Sequence, residues 1–536
     1  MRDILMCPAK TNSHGVCLAV TVLVCSLLLT GVVAAAQAAK PGKADSKPTP
    51  TGALDAAYQS VTQHQLRLNG KVSAYTATAG SLNITDDNGK PIGNIFYISY
   101  TLKDETGARP LTFVFNGGPG AASAYLHLGA LGPQRVEFAD NGSVLPMPAR
   151  LSDNAQSWLA FTDLVFVDPI GTGYSRELKA AASDEKPKQA DDASPAAQDS
   201  HAWGVAEDTD ALARFIRSYL TREQRWLSPV YLAGESYGGF RVARLSRLLQ
   251  ADFGVAPSGL VLISPALDFS LLWGDERSLW PWVALLPSYA AAASVHRRSE
   301  AVKYSAEDPR DVLGEIEAVA LSDYLTGLAG NKTKGWLAQA GKLTGLSSDT
   351  VERWRGRIPP ARFAKALLAE QRRLVSLYDA SITLIDPEPA AQLLTHGDPY
   401  LEQLNAPVAA AMNHYVRDRL AFKTDLPYQL LNDEVFESWN WRSGLQGQQG
   451  FVEAIADLKQ AMSINSRMRV MIVHGVFDLV TPYFASEIAI EQMALDPAIK
   501  ENIALKVYHG GHMPYLHQRS REALYKDAVR FYRQAD

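Results

Sequence analysis

The stretch that decides the fold is Val230-Tyr231-Leu232-Ala233-Gly234-Glu235-Ser236-Tyr237-Gly238-Gly239. Four apolar residues, typical of a buried strand, lead directly into the pattern Gly-x-Ser-x-Gly, and a helical pattern follows. A strand that turns this sharply into a helix has room only for glycines beside the turn, and it lifts the serine hydroxyl to the end of the sheet. The sequence therefore predicts a reactive Ser236 on a strand-to-helix turn.

Short apolar segments like this strand recur along the chain. They are 111–115, 164–167, 230–233, 260–263, 470–473 and 504–507. Parallel strands covered by helices on both faces have this continuous apolar character, and helical patterns such as 207–220 and 241–249 lie between them. Residues 66–102 alternate strand-like segments with turn residues, which predicts an antiparallel edge. The predicted class is α/β: an α/β-hydrolase fold, a doubly wound and mostly parallel sheet with a helical cap insertion.

The predicted core is interrupted by a long segment without the spacing of strands. Residues 271–445 are mostly helical in pattern and contain several Trp and Pro residues, so we expect a helical insertion that caps the site. The core would then comprise 56–270 and 446–536. Residues 179–199 are polar and rich in Ala and Asp, which predicts a mobile loop.

The first residues have the pattern of an export signal. An apolar run at 16–33 follows two basic residues and leads into the Ala-x-Ala pattern at 36–38. We predict a cleaved signal peptide over 1–38 and a flexible leader over 39–55. The alternative is an uncleaved membrane anchor, because the run is close to the lower limit for a membrane span.

The three cysteines all lie in this predicted signal, at Cys7, Cys17 and Cys25. An exported body without cysteine has no disulfides, which suits a periplasmic or secreted protein with a large core. After cleavage we expect no stable membrane association. The sequence leaves the oligomeric state open.

Composition narrows the class of protein further. The chain has 536 residues, of which 47% are hydrophobic and 20% charged, as in soluble globular proteins. Its net charge of −5 gives no basic surface for nucleic acid, so no nucleic-acid partner is expected. We expect no cofactor either, because the chemistry indicated below is carried by side chains alone.

A serine hydroxyl becomes a strong nucleophile only when a histidine takes its proton, and the histidine needs a carboxylate to orient it. In α/β hydrolases these partners follow the serine in the order acid, then histidine. Asp478 follows the apolar segment 470–473, and His512 follows 504–507. Because both stand at the carboxyl ends of predicted strands, we expect a catalytic triad of Ser236, Asp478 and His512 at one edge of the sheet.

Other histidines compete for these roles. His474 and His509 are alternatives for the base, but they lie nearer the strand ends, which favours packing roles. His509, His512 and His517 could also form a metal cluster. No acidic ligand pattern accompanies them, so no metal site is predicted.

A glycine-rich loop follows the predicted strand 111–115. It reads Asn116-Gly117-Gly118-Pro119-Gly120 and stands where this fold supplies a backbone donor to the oxyanion of the tetrahedral intermediate. We predict an oxyanion hole formed by the backbone N–H groups of Gly118 and Tyr237. A plain turn is the alternative for the loop taken in isolation.

Several segments together resemble the serine carboxypeptidase family. They are 116–120, 154–158, 168–175, 234–239, the Asp478 segment and 511–513. The resemblance implies an enzyme that removes C-terminal residues from peptides, often best at acidic pH. It also implies that an Asn, a Gly amide and two proton-sharing Glu residues hold the terminal carboxylate of the substrate. Asn116, Gly117 and Glu235 match three of these four positions.

The chain also departs from the family pattern. Ala130 replaces the second Glu, Val114 replaces a Trp, and Ala121 replaces a Cys, which agrees with a cysteine-free relative. A serine-type carboxypeptidase acting on peptides remains the leading function. The alternatives are an esterase, another peptidase or an acyltransferase on the same scaffold, and lastly a non-catalytic binding protein.

Overall fold

The structure is a computed structural model, and it describes residues 58–103, 109–178, 202–299, 301–305, 307, 309–310, 312–330, 335–442 and 452–533. The strands are β1 (Gln59–Leu68), β2 (Lys71–Thr85), β3 (Pro91–Leu102), β4 (Leu111–Phe115), β5 (Gln134–Val136), β6 (Leu151–Asp153), β7 (Asp163–Val167), β8 (Arg176–Glu177), β9 (Val230–Glu235), β10 (Gly259–Ile263), β11 (Arg373–Val375), β12 (Thr383–Ile385), β13 (Arg469–Gly475) and β14 (Ile503–Tyr508). The predicted signal peptide, the flexible leader and the predicted mobile loop lie outside the described residues.

The α-helices alternate with the later strands. They are α1 (Ala124–Leu126), α2 (Val205–Arg222), α3 (Tyr237–Asp252), α4 (Trp280–Val295), α5 (Gly314–Val319), α6 (Leu325–Leu328), α7 (Trp336–Thr344), α8 (Ser348–Arg353), α9 (Pro360–Ala366), α10 (Pro399–His414), α11 (Asp433–Glu437), α12 (Ile455–Ile464), α13 (Tyr483–Gln492), α14 (Pro497–Lys500) and α15 (Gln518–Arg533). None of the helices in the described part of the chain is long and apolar enough to span a membrane.

One large sheet organises the molecule. Within the described residues its order is β1-β2-β3-β7-β4-β9-β10-β13-β14, and β8 pairs with β3. The pairs from β7 to β14 are parallel, whereas the pairs β1–β2, β2–β3 and β3–β7 are antiparallel. Each predicted apolar segment forms a strand, and the predicted antiparallel edge is present.

Alternate residues of the parallel strands enter two separate apolar layers, one on each face of the sheet. In β9, Leu232 packs in one layer, and Tyr231 and Ala233 pack in the other. On the first face α3 packs against α2 and α12. On the second, the ring of Tyr231 stacks on Tyr532 of α15 with a centroid distance of 4.2 Å. Both faces are covered, so the predicted doubly wound α/β fold is confirmed.

The chain between β10 and β13 differs in detail from the expected helical insertion. It contains helices α4 to α12 and also the short antiparallel pair β11–β12. The pair β5–β6 was likewise not predicted. Strands of three residues are too short to show an alternating pattern of their own. The boundaries 271 and 445 stay a prediction.

Substituting Leu232 by Ala tests the double coverage of the sheet. Leu232 is completely buried, so the loss of its side chain leaves a cavity, and we expect a loss of about 2–5 kcal/mol in the free energy of unfolding, measured with urea. Leu227→Ala is the matched control, since Leu227 is 91% exposed and should change stability by less than about 0.5 kcal/mol. Equal effects of the two substitutions would contradict the buried placement of β9.

Candidate active site

Ser236 lies on a strained turn between β9 and α3. Its backbone has φ 60° and ψ −124°, a region that side-chain-bearing residues rarely occupy. Two bonds to the neighbouring strand region hold it: the Ser236 N–H donates to Ile263 O at 2.9 Å, and Ala266 N–H donates to Ser236 O at 3.1 Å. Gly238 is required here, because a Cβ on it would lie 2.6 Å from Phe115 O. The predicted turn is therefore present and is anchored to strands on both sides.

Asp478 and His512 form a buried pair at the same edge of the sheet. The His512 Nδ1 lies 2.8 Å from the Asp478 Oδ2, and the two side chains are 2% and 0% exposed. The other carboxylate oxygen accepts the backbone N–H groups of Val480 at 2.8 Å and Thr481 at 2.9 Å. With Nδ1 donating to the carboxylate, Nε2 is the imidazole atom that can accept a proton.

Thr481 is a member of this site that the sequence did not single out. Its hydroxyl lies 2.6 Å from the Asp478 Oδ2, 3.0 Å from the His512 Nδ1 and 2.9 Å from Ser264 O. Thr481 thus ties the acid and the imidazole to the end of β10. A local pattern could have indicated it, because its backbone N–H bonds the carboxylate three residues earlier, as in an Asx turn.

The three predicted triad residues follow three strands of the parallel sheet. Ser236 follows β9, Asp478 follows β13 and His512 follows β14, so all stand at the carboxyl ends of strands. The structure joins Asp478 to His512 directly. No hydrogen bond joins the Ser236 hydroxyl to His512 among the described residues. In unliganded enzymes such contacts commonly tighten only in the complex with substrate. The catalytic roles stay a prediction.

The charge state of His512 is set by opposing effects. Burial alone lowers the pKa of His512, but the attraction and hydrogen bond of Asp478, together with the charge of Glu235, outweigh it and raise the pKa above its usual value. An imidazolium formed by accepting a proton is therefore stabilised here. That is the property required of a general base in acyl transfer.

Glu235 is buried directly before the serine. Its side chain is 2% exposed, and burial raises its pKa to about 7, although His512, Tyr515 and Asn116 each oppose the rise. The Tyr515 hydroxyl donates to Glu235 Oε2 at 2.6 Å, and the Asn116 amide also acts on it as a donor. Asn116 is oriented for this, since its Oδ1 accepts the Leu126 N–H at 2.9 Å. The structure thus brings Asn116 and Glu235, two of the predicted carboxylate-binding residues, into contact.

The glycine loop lies against the serine turn. A Cβ on Gly117 would be 2.6 Å from the Tyr237 N and 2.9 Å from the Ser236 Cβ, so only glycine allows this approach. Gly117 therefore packs against the nucleophile itself. Within the described residues, the N–H groups of Gly118 and Tyr237 donate to no other group. Both are available to a ligand, as an oxyanion hole needs.

A buried ion pair between Arg241 and Asp208 holds the backbone of the glycine loop. Arg241 of α3 donates from Nε to the Asp208 Oδ2 at 2.6 Å and from Nη1 to Asn116 O at 2.6 Å. Its guanidinium also lies 5.1 Å from the ring centroid of Tyr237. Arg241 and Asp208 thus connect two helices to both halves of the predicted oxyanion hole. The two residues are 33 apart, and no sequence pattern links them.

The competing histidines have other partners. His474 Nε2 lies 2.9 Å from the Ser486 hydroxyl, and burial lowers its pKa to about 4. His509 Nδ1 lies 2.8 Å from the Tyr304 hydroxyl. His517 pairs instead with Asp379, at 2.7 Å. Over the described ranges, no group of His, Cys, Asp and Glu side chains is arranged to hold a metal ion.

Ala130 occupies the position where the family pattern has its second Glu, and the structure shows its surroundings. Ala130 is buried in a π-helical turn at His127–Leu131. The side-chain amide of Asn154, from the family-like stretch 154–158, donates to Ala130 O at 2.6 Å and to Gly132 O at 2.8 Å. Asn154 therefore fixes the backbone of this turn.

Comparison with known proteins agrees with this geometry. Residues 69–252 match the family described as serine carboxypeptidase. This part of the chain is similar to the serine carboxypeptidases. The match includes the glycine loop and the Ser236 turn, whereas Asp478 and His512 lie beyond it, so their assignment rests on the geometry above.

Curated relatives are similar to about a third of the chain. The pheromone-processing carboxypeptidase KEX1 of Yarrowia lipolytica is 30% identical over 200 residues, which is 37% of this chain and 28% of that protein. Serine carboxypeptidase 1 of Hordeum vulgare is 28% identical over 169 residues, 31% of this chain and 29% of that protein. The alignments thus span less than a third of either relative.

Solved structures with related folds are more distant in sequence. A proline iminopeptidase of Mycobacterium smegmatis matches with TM-score 0.35 and 12% identity, over 85% of this chain and 100% of that one. A carboxyl esterase of Bacillus coagulans gives the same TM-score and identity, over 85% and 98%. Likenesses this weak carry no argument, and the fold is assigned from the strand order and the Ser236 turn.

Asp478→Asn tests the buried pair. Without the carboxylate, burial lowers the pKa of His512 with less opposition, and the imidazole loses its orientation. We expect the rate of labelling by a fluorophosphonate to fall by about a thousandfold or more, and its acid limb to move to lower pH.

The control is Asp386→Asn, which breaks the buried pair of Asp386 with Lys365 in the region between β10 and β13. It should leave labelling within a fewfold of the wild type. If both variants lose labelling equally, stability rather than catalysis explains the loss.

Proposed function

We propose that this chain is an exported serine carboxypeptidase, which releases C-terminal residues from peptides through an acyl-enzyme on Ser236. The observation that carries the proposal is the buried carboxyl group of Glu235, which directly precedes the nucleophile in the chain and lies close enough to His512 and Asp478 for their charges to act on its pKa. A serine hydrolase with no need for a charged ligand would gain nothing from a buried acid at that place.

In the first half-reaction, Ser236 Oγ attacks the carbonyl carbon of the last peptide bond. Its proton passes to the Nε2 of His512, and Asp478 stabilises the imidazolium. The C–N bond then breaks, and His512 returns the proton to the departing amino group. The products are a C-terminal amino acid and an ester on Ser236.

In the second half-reaction, water attacks the ester carbonyl carbon. His512 accepts a proton from the water and delivers it to Ser236 Oγ as the ester bond breaks. The oxyanions of both half-reactions would accept hydrogen bonds from the N–H groups of Gly118 and Tyr237. The shortened peptide leaves with a new C-terminal carboxyl group.

Selectivity for a free C-terminus would come from Asn116, Gly117 and Glu235. A terminal carboxylate is negatively charged at neutral pH, and a second negative charge beside it in a buried site is unfavourable. Protonated Glu235 instead donates a hydrogen bond to that carboxylate. Because the pKa of Glu235 is raised to about 7, this form is available up to neutral pH.

A second candidate is an esterase, another peptidase or an acyltransferase on the same scaffold. It is favoured by Ala130, which stands where the family pattern has its second Glu. Export to the periplasm or the medium is part of the proposal and is supported by the apolar run 16–33 and the pattern at 36–38.

A paired assay separates these candidates. We expect N-blocked dipeptides with a free C-terminus to be hydrolysed at least about tenfold faster, in kcat/KM, than the corresponding C-terminal amides, because only the former can pair with Glu235. Ser236→Ala should abolish the activity and labelling by a fluorophosphonate. Equal or better hydrolysis of the amides, or hydrolysis of simple esters alone, would overturn the carboxypeptidase function.

The pH dependence of KM tests the role of Glu235. Below its pKa of about 7 the residue is neutral and binds a terminal carboxylate; above it, the charged form repels the ligand. The KM for a free-acid substrate should therefore rise above pH 7 in the wild type, by up to about tenfold per pH unit.

Glu235→Gln removes the titrating group, so its KM should be nearly constant from pH 5.5 to 9. An amide substrate is the control, since its KM should not rise in either protein. A rise of KM that persists in Glu235→Gln would assign the titration to another group.

A further inference from the structure

The phenol of Tyr515 is buried against the acid beside the nucleophile. Tyr515 is fully buried, and its hydroxyl donates to Glu235 Oε2 at 2.6 Å. The two residues are 280 positions apart. Tyr515 belongs to the loop that carries His512, whereas Glu235 belongs to β9, so the bond joins the histidine loop to the nucleophile strand.

The packing of the phenol ring fixes its direction. A Cβ on Gly129 would lie 2.8 Å from the Cε2 of Tyr515, so the ring fills the space left by that glycine. A side chain held this closely has little rotamer freedom. Its hydroxyl therefore stays directed at Glu235.

The phenol acts on Glu235 as a fixed donor. Burial and the neighbouring Glu235 raise the pKa of Tyr515 well above its usual value, so the hydroxyl keeps its proton. With Oε2 accepting from the phenol, the proton of a neutral Glu235 resides on Oε1. The carboxyl group is then oriented as well as protonated, as a donor to an incoming carboxylate must be.

We propose that Tyr515 is a positioning residue: its hydroxyl holds Glu235 Oε2 so that Oε1 can donate to the terminal carboxylate of a bound peptide. The proposal rests on the carboxypeptidase function proposed above and extends it. Tyr515 touches no reacting atom, and its effect passes through Glu235 alone.

Several other groups act on Glu235, and the test must separate them. They are the Asn116 amide, the charges of His512 and Asp478, and the hydroxyls of Tyr125 and Tyr378. Tyr515→Phe deletes one hydroxyl and leaves all of these in place. Tyr483→Phe is the matched control, because the buried Tyr483 hydroxyl donates to a different carboxylate, Glu317 Oε1, at 2.7 Å.

The experiment uses the full chain and two measurements. The first is the titration of the Glu235 carboxyl band by infrared difference spectroscopy, with the band assigned by its absence in Glu235→Gln. A hydrogen bond to the charged form lowers the pKa of a carboxyl group, so its loss should raise the pKa of Glu235 in Tyr515→Phe by about one unit. Tyr483→Phe should leave this titration unchanged.

The second measurement is steady-state kinetics at pH 6, where Glu235 is mostly protonated in either protein. In Tyr515→Phe the KM for an N-blocked dipeptide should rise about fivefold, with kcat within about twofold and the KM for the amide unchanged. The rise of KM above neutrality should also begin at higher pH. Tyr483→Phe should show the wild-type kinetics.

The outcomes separate the two proposals. In one outcome the wild type prefers the free-acid substrate, while Tyr515→Phe has the wild-type Glu235 titration and KM. This result leaves the carboxypeptidase function in place and overturns the role of Tyr515. A wild type that hydrolyses acid and amide equally removes the function, and the role in carboxylate binding falls with it. If Tyr515→Phe and Tyr483→Phe lose only thermal stability, to a similar degree, both phenols are structural and the proposal is wrong.

Discussion

The backbone of Ser236 is held at φ 60° and ψ −124°, and the arrangement around it exists to keep that conformation. Such a conformation costs on the order of 1–3 kcal/mol, so it persists only where neighbours leave no alternative. Ile263 O and the Ala266 N–H hold the turn on the β10 side. On the β4 side, Gly117 and Gly238 allow backbones to approach where any side chain would collide. The glycine loop, the oxyanion donors and the nucleophile therefore depend on the same close backbone contacts.

Two buried carboxyl groups at this edge receive different numbers of donors, and this assigns them different chemistry. Asp478 accepts two backbone N–H groups, the Thr481 hydroxyl and the His512 imidazole. Among the residues that the structure describes, the donors to Glu235 are the Tyr515 phenol and the Asn116 amide, and burial raises its pKa to about 7. Carboxyl groups whose environments differ in this way can take different roles within one site: Asp478 orients the imidazole, and Glu235 can donate a proton.

The parts of the site that sequence predicted are those specified by local pattern. The Ser236 turn, the glycine loop and the strand-end positions of Asp478 and His512 each follow from a short apolar run and the residues directly after it. Thr481 could have been predicted from a local pattern as well, since its N–H donates to Asp478, three positions earlier. Tyr515 and Arg241 were not, because their contacts with Glu235 and Asn116 join residues 280 and 125 positions apart. Such contacts are set by how the sheet and its loops pack, which a single sequence does not display.

The same pKa shift shows why Glu235 is better explained by function than by stability. Its pKa is about 7 in the folded protein, against 4.5 for an unperturbed glutamate, so folding favours the protonated form. Its effect on stability is therefore most favourable below pH 4.5, and the advantage is lost as the pH rises through 7. At pH 7 and above, the difference amounts to about 3 kcal/mol of lost stability. A glutamine of similar size would avoid that loss, which is large beside the 5–15 kcal/mol typical of a folded domain (about a fifth or more). Keeping an acid at this position makes physical sense if its proton is used, and the residue directly precedes Ser236 in the chain.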